Sequence, residues 1–201
     1  MGFLDTLLGR SKPAKPDLDQ IFGLSTAAVT LEAATGFTPT GLGSVCFRAA
    51  EGGAFARLQA DVQELLDADA GPKVEISTDT YGYTWLLAKH PPEELPELVT
   101  DLHAVNATLE SGGFGPHLLC SLAGFQGPDG RRLALVYLYK RGTFYPFAPL
   151  PGAVSHPHGY APPPPRRDNA LELQVRGAIG ADLPFEEDLG RWFPVWGAPG
   201  L

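Results

Sequence analysis

The chain has 201 residues and a formal charge of −8, enough length for one domain with a sizeable core. The acidic balance argues against a nucleic-acid partner, because neutralising phosphates takes clustered cations. No stretch approaches the roughly 18 consecutive apolar residues that a membrane-crossing helix needs.

The opening residues place Phe3, Leu4, Leu7 and Leu8 on one helical face, and Arg10, Lys12 and Lys15 follow it. Two readings of this segment stay open. An apolar face trailed by cations is built to rest on an anionic membrane surface, and the same face suits docking on the domain's own surface. Asp5 interrupts the first turn and the apolar stretch of a signal peptide is missing, so the reading is cytoplasmic, peripheral to the inner membrane if the face touches lipid. Met1-Gly2 with Thr6 matches an N-myristoylation pattern, but scarce lysine, asparagine and isoleucine beside abundant alanine, glycine, proline and arginine points to a bacterial source, where that match is fortuitous.

Residues 17–22 read as a helical turn, and 27–33 and 44–49 as strands separated by Gly36, Pro39, Gly41 and Gly43. Phe55, Leu58, Val62, Leu65 and Leu66 have helical spacing ahead of Gly71-Pro72. A hairpin follows, with Val74 and Ile76 on one strand face and Tyr83, Trp85 and Leu87 on one face of the next. Leu95, Leu98, Val99, Leu102, Val105 and Leu109 then recur at three and four, predicting a helix over 92–110 with Glu93 and Glu94 at the positive end of its dipole. Pro91 and Pro92 suit its first turn, and Gly112 or Gly113 a left-handed cap.

A second hairpin spans 118–125 and 133–139 around Gly127-Pro128-Asp129-Gly130, whose proline and aspartate are type I turn residues. Its second strand, centred on Val136, is apolar on both faces and so is expected to be covered twice, by helices or by a partner subunit. Residues 144–147 fit an edge strand that tolerates Pro146. Residues 149–167, with Pro162 to Pro165, form a proline-rich loop, and Asp168 caps a helix through Leu171, Val175 and Ile179. The tail holds Trp192, Phe193, Val195 and Trp196, dense enough to fold back on the body or to form a partner patch. The expected architecture is α+β: an antiparallel sheet of hairpins with amphipathic helices packed on it. Its parts are an amphipathic segment over 1–16, a core over 17–148, the proline-rich loop over 149–167, and a helix with an aromatic tail over 168–201.

No catalytic constellation is legible, and no cofactor or metal is expected. Cys46 and Cys120 each sit in an apolar run and read as reduced core residues. His117 and Cys120, three apart on a strand, point to opposite faces and cannot form a dyad. His103 flanks the central helix stripe, and the pair His156 and His158 lacks the third ligand of a catalytic metal site. The glycines at 112–115 follow a helix and lead into a strand, the reverse of a phosphate loop.

Three segments carry a resemblance: Met1-Gly-Phe-Leu-Asp-Thr-Leu-Leu-Gly-Arg-Ser-Lys, Asp79-Thr-Tyr-Gly-Tyr-Thr-Trp85, and Arg191-Trp-Phe-Pro-Val-Trp-Gly197. With them the chain resembles the bacterial PspA-associated protein family PspAB over its whole length. The resemblance implies an accessory role in a phage-shock type of envelope-stress response, often encoded beside an integral-membrane zinc protease, and it brings no catalytic residue or cofactor. The leading expectation is therefore a non-enzymatic adaptor near the inner membrane whose protein partner is PspA or that protease. Its candidate membrane or partner contacts are Phe3, Leu4, Leu7, Leu8, Arg10, Lys12, Trp192 and Trp196. The alternative, motivated by the two-faced strand, is a chaperone-like homodimer that grips client segments. An enzyme comes third, and would need a pocket that gathers His103, His117 or a cysteine.

Overall fold

Six strands form one antiparallel sheet in the order β2-β3-β1-β4-β5-β6, in a computed structural model that describes residues 16–50, 52–67, 72–150 and 165–201. Phe3, Leu4, Leu7, Leu8, Arg10 and Lys12 lie outside the described residues, as do His156, His158 and most of the proline-rich loop. The strands are β1 (Thr38–Arg48), β2 (Glu75–Thr78), β3 (Tyr83–Lys89), β4 (Leu118–Gln126), β5 (Arg132–Leu138) and β6 (Thr143–Phe147). The helices are α1 (Gly23–Thr35), α2 (Gly53–Leu66), α3 (Leu95–Leu109) and α4 (Asn169–Ile179), preceded by a 3-10 turn at Leu18–Phe22.

Both hairpins stand where their turn residues place them. At β4–β5 the Gly130 amide donates to the Gly127 carbonyl at 3.0 Å, closing the turn around Pro128 and Asp129. Helix α3 buries the predicted stripe from Leu95 to Leu109, although it starts later than residue 92. Pro96 fills its first turn, while Pro91 and Pro92 lie in the corner before it, and Gly113 supplies the left-handed residue beyond its end at φ 85°. Asp168 caps α4, accepting the Leu171 amide at 3.0 Å. Strand β6 with Pro146 is an edge strand.

Residues 27–33 are helical and not a strand. The buried residues of α1 are Leu24, Ala27, Ala28 and Leu31, at helical spacing of three, one and three, whereas Val29, which gives the segment its strand-like look, is 70% exposed. The period emerges only when Leu24 is included, and the alanines favour the helix.

Strand β5 is covered on both faces, as expected. Leu133, Leu135 and Tyr137 join the core that α1, α3 and α4 close, while Ala134 and Val136 join a second core with Leu122, Tyr145, Phe147, Trp192 and Ala198. The second cover is therefore the chain's own C-terminal tail, so β5 calls for no partner subunit to be buried.

The tail is tied down along its length. The Phe144 amide donates to the Pro184 carbonyl and the Glu186 amide to the Phe144 carbonyl, both at 2.8 Å. The Trp192 indole donates to the Glu186 carbonyl at 3.0 Å, the Tyr145 hydroxyl to the Phe193 carbonyl at 2.8 Å, and the Ser44 hydroxyl to the Pro199 carbonyl at 2.8 Å. Burying Trp192, with Trp196 and Phe185 partly buried beside it, offsets part of the entropy of ordering the segment, at about 1.5–3 kcal/mol for each large apolar side chain fully buried.

Candidate functional site

Where the tail crosses the sheet it leaves a groove of about 660 Å³, within the range of about 300–1,000 Å³ typical of ligand sites. Its floor comes from the tail-facing side of the sheet: Cys46 on β1, Trp85 on β3, Cys120 on β4 and Tyr145 on β6. One wall is the β2–β3 turn with Tyr81 and Tyr83, the other is the tail with Phe193, Val195 and Trp196, and Leu119 and Leu138 close the end of the sheet. Lys140, Arg141 and Arg191 stand around the mouth with one acid, Asp79.

Asp79 organises its side of the groove. Its carboxylate accepts the Tyr81 and Tyr83 amides and the Trp85 indole N–H, each at 2.9 Å. One side chain thus closes the turn and sets the angle of Trp85. Burial by itself would raise this carboxyl's pKa, but the bonds from the Trp85 indole and the backbone amides outweigh that and hold it below the usual aspartate value. With these donors Asp79 answers its own turn, leaving the charge presented at the mouth to the bases. Two of those are engaged: Arg141 pairs with the buried Glu186, and Arg191 with Asp188 at 3.0 Å. Lys140 is exposed and has no carboxylate partner among the described residues.

A folded pKa below the unfolded one contributes stability above the unfolded value, here 3.8, and that contribution is lost as pH falls through the lowered value. Asp79→Asn is therefore expected to lose about 1–2 kcal/mol near neutral pH, with the deficit shrinking towards pH 3. Urea unfolding of both proteins at the two pH values, followed by tryptophan fluorescence, reads this directly. A deficit that is independent of pH would show that the charge on Asp79 does no work.

Cys46 and Cys120, 74 positions apart in sequence (120 − 46), are directly opposed on β1 and β4. Both are free thiols. Contact with the Cys120 thiol, reinforced by burial, raises the Cys46 pKa far above the ordinary thiol value and keeps it protonated. The pair forms a soft, buried floor to the groove.

The histidines lie elsewhere. His117 ends a 3-10 turn at Gly115–His117 and packs near the Phe114 and Phe55 rings, 6.0 and 6.4 Å between centroids, on the helix-covered side. Cys120 faces the tail, so the two are separated by the sheet. His103 meets Asp19 at 3.3 Å and packs against the Phe22 ring in a tilted arrangement, and His90 bonds Asp101 at 2.7 Å. Among the described residues no three histidine, cysteine or acidic side chains are grouped to hold a metal ion.

Of the two tail tryptophans expected as contacts, only Trp196 lines the groove, packed edge-on to Phe147 at 4.7 Å. Trp192 is a core residue instead: it is 5% exposed, stacked on Tyr145 at 6.2 Å and covered by the Arg176 guanidinium. Its indole N–H needs a buried acceptor and finds one in the Glu186 carbonyl, which turns it inward. The groove itself was not legible beforehand, because its two walls are over 100 residues apart; the only hint was aromatic density at each of them. Two of the three segments that carry the family resemblance, 79–85 and 191–197, form those walls.

No curated protein and no solved structure matches this chain. A profile of the family described as PspA associated protein B matches residues 1–200, effectively the whole chain, and the chain belongs to that family.

Proposed function

We propose that this protein is a non-enzymatic accessory factor of a PspA-type envelope-stress system that works by protein–protein contact close to the inner membrane. Family membership supports the link to PspA. The groove carries the adaptor reading: it is aromatic, floored by two buried cysteines, flanked by cations at its mouth and bordered by Tyr81 and Phe193, which are 83% and 60% exposed. Large aromatics beside an arginine-containing rim are what protein partners use as anchors. The dimeric chaperone reading loses its motivation, since β5 is buried within a single chain.

Tyr81 and Phe193 are exposed, so the double change Tyr81→Ser and Phe193→Ser leaves the fold intact. It is expected to lower capture of co-expressed PspA at least tenfold, as removal of two contact aromatics does. Val29→Ser, on the exposed face of α1, serves as the control and is expected to change nothing. Equal capture by all three proteins would refute the groove as the contact.

A further inference from the structure

We propose that Cys46 and Cys120 are a reversible thiol–disulfide pair, closed by a small peroxide that enters through the groove and reopened by a dithiol reductant. The proposal concerns two side chains of this chain alone and stands whether or not the groove takes PspA.

The first support is register. Cys46 on β1 and Cys120 on β4 are direct partners, and directly opposed residues of an antiparallel pair share a face, with Cβ atoms about 4.5–5.5 Å apart. A disulfide needs about 3.5–4.5 Å, so the strands have a small approach to make. The ladder beside the pair is irregular: the next partners are Phe47 and Leu118, which leaves Leu119 as an extra residue on β4. Such a residue interrupts the ladder and increases the local twist, giving the two strands play at the point where they must close.

The second support is access. Both cysteines line the groove, with Cys120 9% and Cys46 3% exposed. A peroxide has the bulk of about two waters, roughly 60 Å³, and the groove offers about 660 Å³.

The third support is the division of labour between the sulfurs. Contact with Cys120 and burial keep the proton on Cys46, so Cys120, the more exposed of the two, is the attacking sulfur. Cys120 gives its proton to water and its sulfur attacks one peroxide oxygen. The S–O bond forms as the O–O bond breaks, and the departing hydroxide takes up a proton to become water. The Cys46 sulfur then attacks the Cys120 sulfenic acid: the S–S bond forms, the S–O bond breaks, and the Cys46 proton leaves with the second hydroxide as water. Two thiols are oxidised by two electrons and one peroxide is reduced to two waters. The chain has 2 cysteines in all, so no other thiol of the same chain competes for the sulfenic acid. A dithiol reverses the reaction through a mixed disulfide and is itself oxidised to a disulfide.

The test treats the full-length protein with hydrogen peroxide, removes the excess with catalase and unfolds the chain in N-ethylmaleimide, so that mass spectrometry counts free thiols and maps linked peptides. The expected product is a monomer lighter by two hydrogen atoms, with Cys46 joined to Cys120 and no maleimide taken up; dithiothreitol restores both thiols. Cys46→Ala is expected to stop at a Cys120 sulfenic acid that dimedone traps, and Cys120→Ala to slow oxidation of the remaining thiol about fivefold or more. The rate for the parent protein is expected to hold within about twofold in urea below the unfolding transition. A rate that climbs with urea in step with unfolding would overturn the proposal, because the thiols would then react only in the opened chain. Thiols that survive peroxide, separate oxidation of each to sulfinic acid, or linkage found only between two chains would also overturn it.

Discussion

Replacing Arg167 by alanine is expected to lower stability by about 3–5 kcal/mol, the scale for leaving a buried charge without its partner. The Arg167 Nε donates to Glu172 Oε1 at 2.9 Å, with the two side chains 19% and 3% exposed. Arg167 Nη1 donates to the Trp192 carbonyl, and the guanidinium lies over the Phe147 ring, 5.1 Å from its centre. This side chain thus joins α4, β6 and the tail. Burial raises the Glu172 pKa, opposed by Arg167 and by the Ala148 amide, which donates to Oε1 at 2.9 Å. Removing the arginine leaves burial less opposed.

The sign of the pH effect follows. A raised folded pKa favours the fold below the unfolded value, here 4.5, and that contribution is lost as pH rises through the folded value. The deficit of Arg167→Ala is therefore expected to be largest near neutral pH and to narrow as pH drops towards 4. Urea unfolding across that range measures it. The double variant Arg167→Met with Glu172→Gln keeps an acceptor for Ala148 and removes both charges, so it is expected to recover more than half of the loss. A single variant within about 1 kcal/mol of the parent at pH 7 would mean the pair does not hold the tail.

The second large effect is expected from Gly41→Ala. Gly41 has φ 74°, its carbonyl accepts the His90 amide at 2.8 Å, and a Cβ there would stand 2.0 Å from the His90 carbonyl oxygen. That oxygen belongs to backbone at the corner from β3 into α3, and His90 is itself fixed to α3 through Asp101. Neither side has a flexible group to move aside. The left-handed backbone costs about 1–2 kcal/mol for a residue with a Cβ, and overpacking adds about 1–3 kcal/mol. A combined loss of about 2–5 kcal/mol is expected, with poor refolding yield; Gly53→Ala, where the nearest atom is the flexible end of Arg57 at 3.9 Å, is the control. Equal denaturation midpoints for the two variants would contradict the close approach at Gly41.

Several elements were legible because their causes are local. The stripe of α3 follows from side chains three and four apart sharing a face, the β4–β5 turn from Pro128 and Asp129, and the cap of α4 from Asp168. Helix α1 departs from the strand expected at 27–33 for the same reason in reverse: its period depends on Leu24, outside that window, and on tertiary burial that leaves Val29 outside. The double cover of β5 was foreseen from its composition, but composition does not name the cover.

The amino-acid order alone settled where α3, the β4–β5 turn and the α4 cap form and that β5 must be hidden on both sides, since side-chain period and turn chemistry act over a few residues. It did not settle 27–33, which is helical, nor Pro39, Gly41 and Gly43, which read as turn residues and lie within β1. Folding decided that β1 lies between β3 and β4, that Cys46 faces Cys120, and that the C-terminal aromatics roof the second face of the sheet and leave a groove. Such contacts join residues far apart in the chain, and their energy is gained only after long loops have closed, so no local pattern records them.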